Sequence, residues 1–122
     1  MRCASAISAV PLPFPFMPAR RGRWSSRWRR PSHAVGAIIA ICRAAPDDGI
    51  TLCPLGPLTN LALAFRLAPD ILPKVKRIVL MGGAIGLGNM SPAAEVNIQV
   101  DPHAAARVFG CGRPIVMMGL GV

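Results

Sequence analysis

The sequence predicts an α/β domain built on a parallel sheet, and three observations carry that prediction. Short apolar runs at residues 50–53, 78–81 and 114–118 alternate with segments of helical spacing, and strands separated by helices pair in parallel. The last two runs are apolar throughout, as in strands covered on both faces. The composition, 52% hydrophobic and 16% charged over 122 residues, suits one ordinary core and excludes a largely disordered chain.

In chain order, residues 1–32 stand apart as an Arg/Pro-rich leader without regular structure. Pro11, Pro13, Pro15 and Pro18 interrupt any helix or central strand. Three readings fit this stretch: an organelle transit peptide, an electrostatic arm in which Trp24 and Trp28 interleave with arginines to meet RNA or an anionic surface, or a leader not native to the domain, as from a mis-assigned start. The formal charge of +9 belongs mostly to this stretch. Seven of the fourteen basic residues precede position 31. The remainder holds seven basic and five acidic residues, 7 − 5 = +2, so the domain itself is not a nucleic-acid binder by charge.

The domain proper spans 33–122. Val35, Ile38, Ile39 and Cys42 recur at helical spacing. Pro46-Asp47-Asp48-Gly49 is a turn in which Gly49 supplies the positive φ. A strand at 50–53 leads through Gly56 into a helix with Pro57 at its first position and Leu58, Leu61, Ala62 and Phe65 on one face. A connector interrupted by Pro73 precedes the strand 78–81, and a glycine loop (Gly82, Gly83, Gly86, Gly88) follows it. Residues 95–100 alternate polar and apolar, as in an edge strand. Asp101-Pro102 caps a helix, and 114–118 is the last buried strand, with Met117 and Met118, like Met81, in the core. Cys42 and Cys53 read as small buried hydrophobes. The four cysteines form no C-x-x-C pair and favour a reducing, cytoplasmic compartment. No run of about 18 uncharged apolar residues offers a membrane span.

The chemistry legible from pattern is limited. The glycines match neither G-x-G-x-x-G nor a P-loop, so a loop needing close backbone approach is the simpler reading. Glu95 and Asn97 share one side of a period-2 segment. A carboxylate and an amide together suit vicinal hydroxyls, but the same pattern fits the solvated face of an edge strand, and pattern alone favours the latter. Asn89 reads equally as a turn residue, and His103 as exposed. No nucleophile stands beside a base, and no metal cluster is complete.

Several blocks nevertheless resemble one family in the same order: Gly56-Pro57-Leu58-Thr59-Asn60-Leu61-Ala62, Val79-Leu80-Met81-Gly82-Gly83, Gly88-Asn89, Ala94-Glu95-Val96-Asn97-Ile98 and Asp101-Pro102-x-Ala104-Ala105. Together with the helix from His33, they resemble the central portion of the inosine-uridine-preferring nucleoside hydrolases. The resemblance implies a Rossmann-like nucleoside hydrolase fold, incomplete at both ends, and hydrolysis of the N-glycosidic bond of ribonucleosides to ribose and free base. It implies a Ca²⁺ at the strand ends that binds ribose hydroxyls and the attacking water, with an aspartate as general base. Carried over by position, Asn89, Glu95 and Asn97 would hold ribose hydroxyls, Met81 would lie beside the sugar, and the Leu55 main-chain carbonyl would be a Ca²⁺ ligand. The family's D-x-D-P-G-x-D-D is missing, Gly121 stands where an acid is usual, and Val96 where an aromatic is common. The expectation is therefore a chain with ribose-binding residues, no catalytic residue, no Ca²⁺ bound on its own, and no turnover alone. A non-catalytic binding module is the alternative. Homo-oligomers are common in the family, and nucleic acid is not an expected partner.

Overall fold

The computed structural model describes residues 32–121; the leader, apart from Ser32, lies outside them. Helix α1 (His33–Ala44) leads to strand β1 (Ile50–Leu52), helix α2 (Thr59–Leu67), a 3-10 segment (Pro69–Lys74) and strand β2 (Val75–Ala84). The short helix α3 (Val96–Gln99), helix α4 (Pro102–Phe109) and strand β3 (Ile115–Leu120) complete the order. The three strands form one parallel sheet in the order β1-β2-β3, as the alternation of strands and helices predicts.

Each helix begins where local chemistry allows. Ser32 accepts from Val35 N at the start of α1, and Asp101 accepts from Ala104 N at the start of α4, with Pro102 in the first turn. Helix α2 starts at Thr59, with Leu58 in the cap position and Pro57 just upstream rather than inside. The core joins Val35 and Cys42 of α1, Leu61 and Phe65 of α2, Val108 of α4 and Ile78 and Leu80 of β2, with Leu58, Ile71 and Val75 between them. Burying Phe65 and the aliphatic side chains contributes roughly 1.5–3 kcal/mol each. Beta2 is longer than its apolar run. It starts at Val75 and continues through Gly82-Gly83, where the register with β3 slips between Met81 and Ala84 and Gly83 takes a φ of 77°.

Several expectations are corrected. Residues 95–100 are not a strand: Val96–Gln99 is a helical turn, and Glu95 is its N-cap. Two local bonds, Val96 N to Asn89 Oδ1 and Ile98 N to Glu95 Oε2, satisfy amides that a strand would offer to a neighbour, so side chain-to-backbone bonding overrides the alternation. In the 46–49 turn, Asp48 rather than Gly49 takes the positive φ, at 51°; Asp tolerates that region. Gly49 serves the turn by its size, since a Cβ there would lie 2.7 Å from the Pro46 ring. Cys42 is buried, but Cys53 is exposed at the end of β1. Met117 and Met118, expected in the core, are 45% and 52% exposed; β3 is an edge strand of the sheet, paired with β2. Met81 is half-buried, and His103 is exposed, as expected.

Candidate functional site

The residues singled out by sequence converge beyond the carboxyl ends of β1 and β2, the edge at which open α/β sheets bind ligands. The loop after β2 is drawn around one carbonyl: the amides of Asn89 and Met90 donate to Ala94 O at 3.1 and 3.0 Å. Gly88 is required there, since a Cβ would stand 2.2 Å from the same oxygen. The closed loop points the Asn89 side chain at α3, where its Oδ1 accepts from Val96 N at 2.9 Å.

Glu95 is 2% exposed. Its Oε2 accepts from Gly83 N at 3.0 Å and Ile98 N at 3.2 Å, joining the bulge of β2 to the first turn of α3. Gly82 leaves room for this, because a Cβ there would meet Ile98 at 3.2 Å and Glu95 Oε2 at 3.4 Å. The other oxygen, Oε1, is buried and has no partner among the described residues. Asn97 turns toward the strand ends. Its Nδ2 donates to Met81 O at 3.2 Å, contacts Met81 Sδ at 3.2 Å and reaches Leu55 O at 3.5 Å. Leu55 itself is held through its neighbour, as Met81 N donates to Pro54 O at 3.0 Å. Thus Asn97, Met81 and Leu55 touch directly, while Glu95 and Asn89 join them through α3 and the bulge.

One link was not legible in the sequence. Thr59 Oγ1 donates to Asp101 Oδ2 at 2.6 Å. Thr59 belongs to a helix start and Asp101 reads only as a cap, and no local pattern pairs residues so far apart in the chain.

The remaining acids are committed elsewhere. The chain contains five, Asp47, Asp48, Asp70, Glu95 and Asp101. Asp70 takes a fork from Arg43 at 2.7 and 3.0 Å. The Arg43 hydrogen bond, aided by its charge, holds the Asp70 carboxyl below its usual range, and the same pair raises Arg43. Asp47 pairs with Lys74 at 2.7 Å, and Asp48 pairs with Arg113. Asp101 spends both oxygens on Ala104 N and Thr59. Among the described residues no three His, Cys, Asp or Glu side chains come together as a metal site.

A buried glutamate and two asparagines thus lie at the strand ends of an α/β fold. The chain belongs to the inosine-uridine preferring nucleoside hydrolase family, whose model matches residues 15–122. It is 55% identical over 95 residues to the pyrimidine-specific ribonucleoside hydrolase RihB of Escherichia coli O139:H28, covering 78% of this chain and 30% of that protein. It is equally similar to a putative RihB of Shigella dysenteriae serotype 1, of which it covers 35%. Among solved structures it superposes on a plant nucleoside hydrolase, PpNRh1, with a TM-score of 0.67 and 41% identity, covering 73% of this chain and 28% of that one. A purine-preferring ribonucleoside hydrolase from Gardnerella vaginalis gives 0.65 and 40%, covering 74% and 28%. The chain thus spans about a third of the length of its curated relatives.

Proposed function

We propose that this chain supplies the ribose-recognition wall of a protein that hydrolyses the N-glycosidic bond of ribonucleosides, releasing ribose and a free base. The observation that carries this reading is the buried Glu95 with Oε1 unpartnered. A buried carboxylate oxygen without a donor costs about 1–3 kcal/mol or more, and a ligand hydroxyl would offset that cost. The neighbouring side chains have spent complementary atoms on the fold. Asn97 has used Nδ2, leaving Oδ1 as an acceptor; Asn89 has used Oδ1, leaving Nδ2 as a donor. Two acceptors and a donor suit a polyol, whose hydroxyls both donate and accept. Met81, half-buried between them, is the apolar surface beside the sugar.

Calcium fits these residues poorly. Ca²⁺ takes six to eight oxygens, carboxylates prominent among them, whereas this edge offers the Leu55 carbonyl, already facing Asn97, and no carboxylate cluster among the described residues. The Leu55 carbonyl by itself does not make a calcium site. Of the five acids, four sit in ion pairs or a cap and Glu95 holds two amides, so none is assigned here as a general base.

The three described cysteines are free thiols, which supports a reducing, cytoplasmic setting, and no described helix is long and apolar enough to cross a membrane. Self-association is supported by the exposed side chains of Ile85, Leu87 and Met90. The relatives named pyrimidine-specific make uridine the first ligand to test, with inosine as comparison. Calorimetric titration of the chain is expected to give saturable binding that D-ribose competes away. Absence of binding by either nucleoside would refute the reading.

A further inference from the structure

We infer that Thr59 and Asp101 are positioning residues: their hydrogen bond sets the distance between the Leu55 carbonyl and the Asn97 amide, and so the width of the ribose-recognition edge. The inference rests on the function proposed above and adds two residues to it.

The geometry is that of a short ladder. Thr59 Oγ1 meets Asp101 Oδ2 at 2.6 Å, and Asn97 Nδ2 meets Leu55 O at 3.5 Å. Both contacts span the same separation of 42 residues, so segments 55–59 and 97–101 run side by side with a rung at each end. The rungs are unequal. The first is a short, charge-assisted O–H···O bond; the second lies at the outer limit of a hydrogen bond. The strong rung is also the rooted one. Thr59 opens α2 beside the buried Leu58 and Leu61, and Asp101 opens α4 before the buried Ala104 and Ala105. Leu55, by contrast, is 78% exposed, so its side chain does not fix its carbonyl. Besides its long contact with Asn97, the carbonyl is located through its chain neighbours, by Met81 N on Pro54 O and by the Thr59 rung. Asp101 is suited to the task because its two oxygens are divided: Oδ1 caps α4 through Ala104 N at 3.0 Å, and Oδ2 is left for Thr59. Loss of the Thr59 hydroxyl would leave helix and cap intact while the Leu55 segment drifts from Asn97.

The test uses the full ¹⁵N-labelled chain, with uridine as the probe. Thr59→Val keeps the shape of the side chain and removes the hydroxyl; Thr59→Ser restores it. In Thr59→Val the Asn97 side-chain amide resonances are expected to shift and to exchange faster with solvent, and uridine binding to weaken roughly tenfold. Thr59→Ser is expected to restore both readouts, which a general loss of packing would not allow. Should Thr59→Val fail to fold, Asp101→Ser carries the same test, because Ser caps a helix nearly as well while leaving no second oxygen for Thr59. Asn97 resonances that stay in place in these folded variants overturn the proposal. If the unmodified chain binds no uridine, the ribose reading fails separately, and the Asn97 resonances still decide the rung.

Discussion

Glu95 concentrates two roles in one carboxyl group. Oε2 holds the bulge of β2 to the start of α3, and the buried Oε1, which has no partner among the described residues, is the atom we propose for a ligand hydroxyl. The roles separate by substitution. Glu95→Gln keeps an oxygen for the two amides but turns an NH₂ toward the ligand, so uridine affinity should fall about tenfold while the fold survives. Glu95→Ala removes the cap as well and should destabilise the chain by about 1–3 kcal/mol. Thermal unfolding and titration of both variants check this; equal uridine affinity in Glu95→Gln and the parent chain would show that Oε1 faces no hydroxyl. The cysteines offer a second contrast at this scale. Burial pushes the Cys42 thiol up, which disfavours the reactive thiolate, whereas Cys53 is exposed at the end of β1. Iodoacetamide at neutral pH should therefore modify Cys53 well before Cys42, as peptide mapping by mass spectrometry would reveal. Faster alkylation of Cys42 would mean that α1 detaches from the core in solution.

Among the elements, the loop between β2 and α3 depends most on a single residue. Gly88→Ala would place a methyl group on the Ala94 carbonyl and should open the loop, releasing Asn89 from Val96 N and lowering uridine affinity; unchanged affinity would separate loop closure from the site. A different dependence ties α1 to the 3-10 segment through Arg43 and Asp70. Because the folded Asp70 carboxyl is held below its unfolded value, its contribution is present above the ordinary carboxylate range, near ~4, and is lost as pH falls through the folded value. Asp70→Asn should thus melt slightly below the parent chain at neutral pH, and the two should converge in acid. Both side chains are exposed, so the gap is small. This is also the scale at which sequence reading both succeeds and fails. The helices α1 and α4 and the parallel sheet were legible, because the spacing of Val35, Ile38, Ile39 and Cys42, the Asp101-Pro102 start and the apolar runs act within a few residues. The α3 turn was not, because what decides it is a capping bond from Glu95 and a bond from Asn89, which alternation over six residues cannot express. Met117 and Met118 were misread for a related reason: an apolar run reveals a strand but not what covers it.

For the whole molecule, the question is whether recognition and chemistry reside in the same chain. Glu95, Asn97 and Asn89 were readable as a set only through the likeness to a family; the proposal that they meet a sugar rests on the atoms left over after the fold is satisfied. The acids tell the opposite story, since Asp47, Asp48, Asp70 and Asp101 are each tied to a partner that positions an element. A ligand that binds only the folded state raises its stability by RT ln(1 + [L]/Kd). Saturating uridine should accordingly raise the thermal midpoint by a few degrees, since about 1 kcal/mol moves a domain of this size by roughly 4–8 °C. Millimolar calcium should leave the midpoint where it was, and uridine should be recovered intact after prolonged incubation with the chain and calcium. A calcium-dependent rise in the midpoint, or ribose release abolished by a chelator, would show that oxygen ligands and a base are assembled here after all. The acids now assigned to ion pairs would then have to leave Arg43, Lys74 or Arg113, and the same measurements on Asp47→Asn, Asp48→Asn and Asp70→Asn would identify which of them does so.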